Sequence, residues 1–446
     1  MRAGKFIRPL GMIIGAVLLC LFGTTKAVMA DSISKISAGD TAWVLASSAL
    51  VMIMTPGLGL FYAGMVRRKN VLGTILQSFM MVGVIGVLWI LYGYSIAFGR
   101  DHFGIIGSLD WIGLRGIGLG PAKAPFDALY GATIPQEAHM IFQAMFAIIT
   151  PALITGAVAE RMRFKAFFIF MILWATIVYN PVAHWVWGVG GWLGKFGALD
   201  FAGGTVVHIC SGVAALCCAI VLGRRKGYGR EEFKPHNLTM TLIGTALLWF
   251  GWFGFNAGSA LAANGLAANA FVVTNTAAAA AAVSWVLIEW WHHGKPTALG
   301  AASGAVAGLV AITPASGYVG PVAAIFIGGI VSIICYGAIM LKGKLGYDDS
   351  LDVFGVHGVG GTWGAIATGL FASTAINAAG ANGLFHGNPM LLLKQLVAII
   401  TVALYSFVVT FLLLKVTSFF TPLRVDKDDE DTGLDLSQHG EVGYTL

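Results

Sequence analysis

Long apolar runs recur along the chain at about 42–65, 72–98, 139–158, 165–187, 202–222, 239–262, 268–291, 297–314, 319–341, 353–373 and 391–418, with short polar stretches between them. Roughly 20 apolar residues in helical form cross a bilayer. The pattern therefore predicts an all-α polytopic membrane protein with eleven transmembrane helices. A further apolar run, from Leu10 to Phe22, is shorter than a span, follows Arg2, Lys5 and Arg8, and precedes the small-residue site Val28-Met29-Ala30. That arrangement predicts a signal peptide over residues 1–30, with an uncleaved first helix as the alternative. The mature chain then starts outside, at Asp31, and comprises a membrane domain over 31–420 and a soluble tail over 421–446.

Basic residues test the count, because loops on the cytoplasmic side are enriched in Lys and Arg. Eleven spans entered from outside put the clusters Arg67-Arg68-Lys69, Arg161/Arg163/Lys165 and Arg224-Arg225-Lys226 in the cytoplasm, together with the C-terminus. The outer segments hold only Lys35, Arg100, Arg115, Lys123, Lys195 and Lys394. A wrong count would reverse alternate loops. The predicted location is accordingly the cell inner membrane, with the N-terminus outside.

Composition agrees: the 446 residues are 57% hydrophobic and 11% charged, against about 25% charged in soluble domains. The net charge of +6 does not imply a nucleic-acid partner, since the basic residues are scattered through short loops without aromatic interleaving. Four of the five cysteines, Cys210, Cys217, Cys218 and Cys335, fall in apolar segments, which gives neither a disulfide framework nor a metal site. No metal cluster, nucleophile elbow or phosphate loop is visible, so neither an enzyme nor a cofactor is expected.

Two histidines break the apolar pattern, His208 in GGTVVHICSG and His357 in DVFGVHGVGG. An ionisable side chain at membrane depth costs about 2.5–3.5 kcal/mol on insertion scales and usually marks a conduction or proton path. The chain also echoes itself: GLGLFYAGM at 57–65 and GWFGFNAGS at 251–259 share G-x-x-x-F-x-A-G, and Asp200 and Asp349 each precede a histidine by eight positions. A five-helix repeat has an odd number of spans, so its second copy is inverted. Helices five and ten become counterparts around a central pore, with helix eleven peripheral. Shared glycine-rich composition is the other explanation of these short matches, in a chain with 60 glycines.

The motifs FAGGTVVHICSG, GWFGFNAGSA, GAVAERMRF, PVAHWVWG and DVFGVHGVGGTWG together resemble the ammonium transporter (Amt/Mep/Rh) family, of bacterial Amt type, over nearly the whole mature chain. The resemblance implies that His208 and His357 lie side by side in a narrow apolar pore and share or relay a proton. It implies recruitment of ammonium by Trp187, Phe146 and Ser259 in an outer vestibule, where aromatic faces attract a cation and a hydroxyl accepts an N–H bond. Trp187 has an alternative reading as an interfacial belt residue. Phe146 and Phe255 match a stacked gate. Trp252, Phe61, Tyr62, Gln143 and Thr313 match positions lining or flanking the path. Asp200 matches an acid that supports the vestibule, and its place before helix five also suits a helix cap, as does that of Asp352 before helix ten. His139 and His184 are expected to pack or to bond at helix ends.

Potassium and ammonium are alike in size and charge, and only ammonium can shed its charge by losing a proton. A dry apolar constriction offers no ligands to a bare cation, so selectivity would lie in deprotonation. Whether the proton crosses too, or returns outside as in a passive Rh-like ammonia channel, stays open at this level. The tail segment GLDLSQHGEVGY resembles the family's C-terminal signature, which implies packing on cytoplasmic loops and docking of a PII signal protein. The family also implies a homotrimer in membrane lipid. A sensor signalling through the tail is the competing function.

Overall fold

The computed structural model describes residues 36–117 and 130–445; the leader assigned to 1–30 lies outside the described residues. We number the helices α1 (Ala38–Met65), α2 (Arg68–Phe98), α3 (Gln136–Val158), α4 (164–187), α5 (Gly204–Leu222), α6 (Leu238–Gly258), α7 (Gly265–His293), α8 (Ala298–Ile312), α9 (Pro321–Leu345), α10 (354–371) and α11 (Pro389–Phe420). Among the described residues, nine of these are long and apolar enough to cross a membrane. The spans predicted at 297–314 and 353–373 are occupied by the shorter α8 and α10. After α2 comes a small hairpin, β1 (Asp101–His102) against β2 (Ile106–Gly107).

Burial sorts the helices into an inner and an outer set. The apolar windows of α3 and α5 are 89% and 83% buried, whereas those of α7, α9 and α11 are 33% buried. The outer helices accordingly keep large apolar residues exposed, such as Leu404 and Leu412 on α11 and Ile325 and Phe326 on α9. In lipid an apolar outer face costs nothing, so close packing between helices depends on small residues that let backbones approach. α1 and α6, the two halves of the sequence echo, show this directly. A Cβ at Gly254 would sit 2.7 Å from the Ser47 carbonyl oxygen, and one at Gly258 2.6 Å from the Ser47 Cβ.

The same device brings α5 and α10 together, and here the contacts are reciprocal. Gly212, four residues after His208, lies against the backbone of Gly358, and a Cβ at Gly361, four residues after His357, would be 2.9 Å from the His208 Cβ. Both histidines also sit in a π-turn, Gly204–Ile209 in α5 and Phe354–Gly358 in α10. Such turns widen a helix by one residue and re-aim the side chain they carry. Each helix begins on an aspartate: Asp200 accepts from the amides of Gly203, Gly204, Thr205 and Val206, and Asp349 accepts from that of Phe354 at 2.7 Å. Acidic side chains at these positions complete the unpaired N–H groups of the first turn.

The tail is built onto one end of the bundle. Residues 423–425 pair with 161–163 through Arg163 N–H to Leu423 O and Val425 N–H to Arg161 O. Two short helices follow, α12 (Lys427–Thr432) and α13 (Leu434–His439). The Asp435 carboxylate on α13 accepts from the amides of Leu72 and Gly73 near the start of α2.

Candidate functional site

Three cavities follow one another through the inner helices. The first is a vestibule of about 550 Å³ whose lining includes Trp187, Ser259, Phe146, Gln143, Asp200 and Tyr318. Trp187 ends α4, and its indole N–H is held by the Asp200 carbonyl at 2.8 Å. Its ring meets Phe146 edge to face, with centroids 5.8 Å apart and planes at 89°. Ser259 caps the end of α6 and donates to the Phe255 carbonyl at 2.8 Å, which turns the oxygen's lone pairs outward as acceptors. Gln143 is buried, and its amide oxygen has no partner among the described residues. Aromatic faces with carbonyl and hydroxyl acceptors, and neither Lys nor Arg among the described lining residues, suit a small cation.

The floor of this vestibule is a pair of stacked rings. Phe146 and Phe255 lie 4.1 Å apart at 28°, and Phe255 lines the next chamber while Phe146 lines the vestibule. That chamber measures about 10 Å³ and is walled by Met54, Leu58, Ile149, Leu153, Leu248 and the two histidines, with Trp252 on one side. Its volume is about that of one water probe. Such a space holds one small molecule and no hydration shell.

Inside it, His208 Nδ1 and His357 Nδ1 are 3.3 Å apart, with the rings at 25° and 5.3 Å between centroids. Two Nδ1 atoms at that separation share one proton: one ring donates, the other accepts, and the tautomers of both are thereby fixed. Trp252 stacks on His208 at 5.4 Å. Its own N–H goes to the Thr313 hydroxyl at 2.9 Å, which in turn donates to the Leu309 carbonyl. Thr313 thus braces Trp252 from behind and is absent from the chamber wall. The Nε2 of His208 is buried with no partner among the described residues.

Below the histidines a third cavity of about 70 Å³ is lined by His357, Phe61, Tyr62, Ser303 and Asp352. Tyr62 points its hydroxyl at the Leu153 carbonyl, and Asp352 pairs with Lys342 at 2.5 Å. Asp200 accepts from the backbone amides of α5 and also borders the vestibule, so its carboxylate serves the helix start and faces the first cavity at once. His139 bonds the Tyr94 hydroxyl and stacks on Tyr130, and it too borders the vestibule. His184 bonds the Ala97 carbonyl and Asp101.

The histidine chamber therefore unites His208, His357, Trp252 and Phe255, while Phe61 and Tyr62 belong to the cavity beyond. Sequence reasoning did not single out Leu58, Leu153 and Leu248 in the chamber, or Tyr130, Phe201 and Tyr318 in the vestibule. Aliphatic and aromatic side chains facing a pore carry the same signal as those packing a core.

Comparison with known proteins gives the same direction. The model of the Ammonium Transporter Family matches residues 42–444. An ammonium transporter of Bacillus subtilis is 55% identical, covering 91% of this chain and 98% of the relative, and ammonium transporter Amt1 of Archaeoglobus fulgidus is 51% identical, covering 92% and 100%. Among solved structures, Candida albicans Mep2 superposes with a TM-score of 0.83 at 36% identity over 92% of this chain and 91% of that one. A structure described as a sensor Amt protein gives 0.81 at 29% identity, over 90% and 98%. The match runs from α1 to the tail that packs on α2, and by it the chain belongs to the ammonium transporter family, as a multi-pass membrane protein that transports ammonium rather than an enzyme.

Proposed function

We propose that ammonium is collected in the vestibule by Trp187, Phe146 and Ser259, passes the Phe146/Phe255 pair, and gives its proton to the imidazole pair while ammonia continues through the apolar chamber. The observation that carries this reading is the Nδ1···Nδ1 contact of His208 and His357 inside a chamber with room for one small molecule. Burial without ligands makes a bare cation costly there. Neutral ammonia crosses at little cost.

The geometry also supports a direction for the proton. His208 lies next to Phe255, at 6.2 Å between rings, and its Nε2 is unpartnered; His357 borders the cavity beyond. A proton taken at His208 Nε2 makes that ring cationic, its Nδ1 proton moves to His357 Nδ1, and the His357 Nε2 proton is released into the lower cavity. One extra proton fits the pair at a time, because two adjoining imidazolium ions repel. In this reading all eleven helices cross the membrane, helices one to five and six to ten are inverted repeats, the vestibule faces outward and the tail lies in the cytoplasm. The reciprocal Gly212 and Gly361 contacts support the repeat. Docking of a PII signal protein on the tail and assembly as a homotrimer belong to the same reading, and the ordered packing of α13 on α2 supports the first.

Proteoliposomes given an ammonium pulse test the relay. Inward current together with uptake is the expected result. Uptake with no current and a more alkaline lumen means that the proton stays outside and the protein conducts ammonia passively.

A further inference from the structure

His184 sits one turn before Trp187 and is completely buried. Its Nδ1 is 2.9 Å from the Ala97 carbonyl at the end of α2, and its Nε2 is 2.9 Å from Asp101 Oδ1 on β1. A carbonyl oxygen only accepts, and so does an ionised carboxylate. Asp101 is ionised: burial works to raise its carboxyl, and the bonds from His184 and the Gly104 amide, with the His184 and Lys195 charges nearby, hold it below the usual carboxylate range. Both ring nitrogens therefore face acceptors, the carbonyl on one side and the carboxylate on the other. The charged groups facing it are Asp101 on the hairpin and, behind that carboxylate, Lys195, at 3.7 Å from Asp101 Oδ2. The nearby Tyr130 hydroxyl accepts from the Val189 amide.

The segment that leaves Trp187 is moulded on this pair. A Cβ at Gly188 would stand 2.5 Å from His184 Nδ1, one at Gly191 would strike the His184 carbonyl oxygen, and one at Gly190, at φ +100°, would press on the Asp101 side chain. Trp187 is thus fixed at three points, by the indole bond to Asp200, by the end of α4, and by a glycine turn that follows the His184–Asp101 pair. We propose that His184 and Asp101 are positioning residues for ammonium recruitment, a pair that sets the Trp187 indole at the vestibule wall. This inference rests on recruitment at Trp187.

The test uses Asp101→Asn, which keeps the size and an acceptor oxygen but removes the charge, and can turn its amide to donate to a neutral His184. Uptake of labelled methylammonium by proteoliposomes is measured over a range of concentrations for the native protein, Asp101→Asn, Trp187→Leu and the double variant. In Asp101→Asn the half-saturation concentration is expected to be about three- to tenfold higher than in the native protein, at unchanged maximal rate, the scale of a misplaced cation–π contact. Adding Asp101→Asn to Trp187→Leu should change nothing more, since both act through one ring. Native affinity in Asp101→Asn alongside weakened affinity in Trp187→Leu overturns the positioning role. Native affinity in both overturns recruitment at Trp187 itself. A fall in maximal rate with affinity unchanged marks the pair as a structural element only, and also refutes the proposal.

Discussion

At the residue scale, the two imidazoles combine costs that a membrane protein ordinarily avoids, being ionisable, buried and set against apolar walls. The 3.3 Å contact between them offsets part of that cost, because each ring satisfies one nitrogen of the other. Trp187 works differently, through a face rather than a proton. Its replacement by Leu is expected to weaken apparent affinity by about 0.5–2 kcal/mol, read as a raised half-saturation concentration in methylammonium uptake, with the amount of inserted protein unchanged. A variant that fails to insert supports the interfacial-belt role instead. The histidines were legible in the sequence because charge in an apolar run stands out. The acceptor role of Gln143 and the bracing role of Thr313 were not, since a single polar residue in a helix does not reveal which way it faces.

At the element scale, helix identity followed from run length and the start of helix five from Asp200, whereas the caps at Asn237, Thr297 and Asn388, whose side-chain oxygens accept from helix amides at 2.8–3.2 Å, were not singled out in the sequence. What the sequence did not reveal were the π-turns that carry His208 and His357, because a one-residue widening leaves the hydrophobic pattern almost unchanged. The α5–α10 crossing depends on glycine at the point of contact. Gly361→Val is expected to push α10 off His208, destabilise the protein by about 1–3 kcal/mol and abolish uptake. A folded variant with native uptake contradicts the idea that this crossing sets the imidazole contact. The capping carboxylate of Asp349 adds a pH dependence. Burial raises it to about 6 from a usual value of 3.8, so the folded protein holds its proton more tightly than the unfolded chain. The stabilisation that this proton brings is complete below about pH 4, and it is lost as pH rises through about 6. Asp349→Asn keeps the acceptor for the Phe354 amide and should remove this part of the pH dependence of thermal unfolding between pH 5 and 7.

At the scale of the whole molecule, an ionic knot joins the tail to the helices that carry the site. Glu160, fully buried, pairs with Arg67 and Arg225, and Arg225 holds Asp348 just before α10. Arg424 and Lys226 tie Glu430 and Asp431 of α12 to the same end. Burial alone would raise the Glu160 carboxyl, but the Arg225 and Arg67 charges outweigh it and hold it below its usual value. Its contribution is complete above about pH 4.5 and falls away as pH drops through the lowered value. Glu160→Gln leaves the buried Arg225 with Asp348 alone and the partly exposed Arg67 without a carboxylate, and is expected to cost about 1–3 kcal/mol, seen as a lower unfolding temperature in detergent; an unchanged temperature means the knot contributes nothing. The apolar runs foretold the membrane domain, but the pairing of 423–425 with 161–163 joins segments far apart in sequence and left no local pattern to read.

In the proposed mechanism charge is removed from ammonium at the His208–His357 pair. The most direct measurement compares currents evoked by ammonium and by potassium in proteoliposomes holding the native protein or His208→Ala/His357→Ala. The native protein is expected to give an ammonium current and no potassium current, and the double variant either to lose the ammonium current or to admit potassium. A double variant with native ammonium current and intact exclusion of potassium contradicts that mechanism.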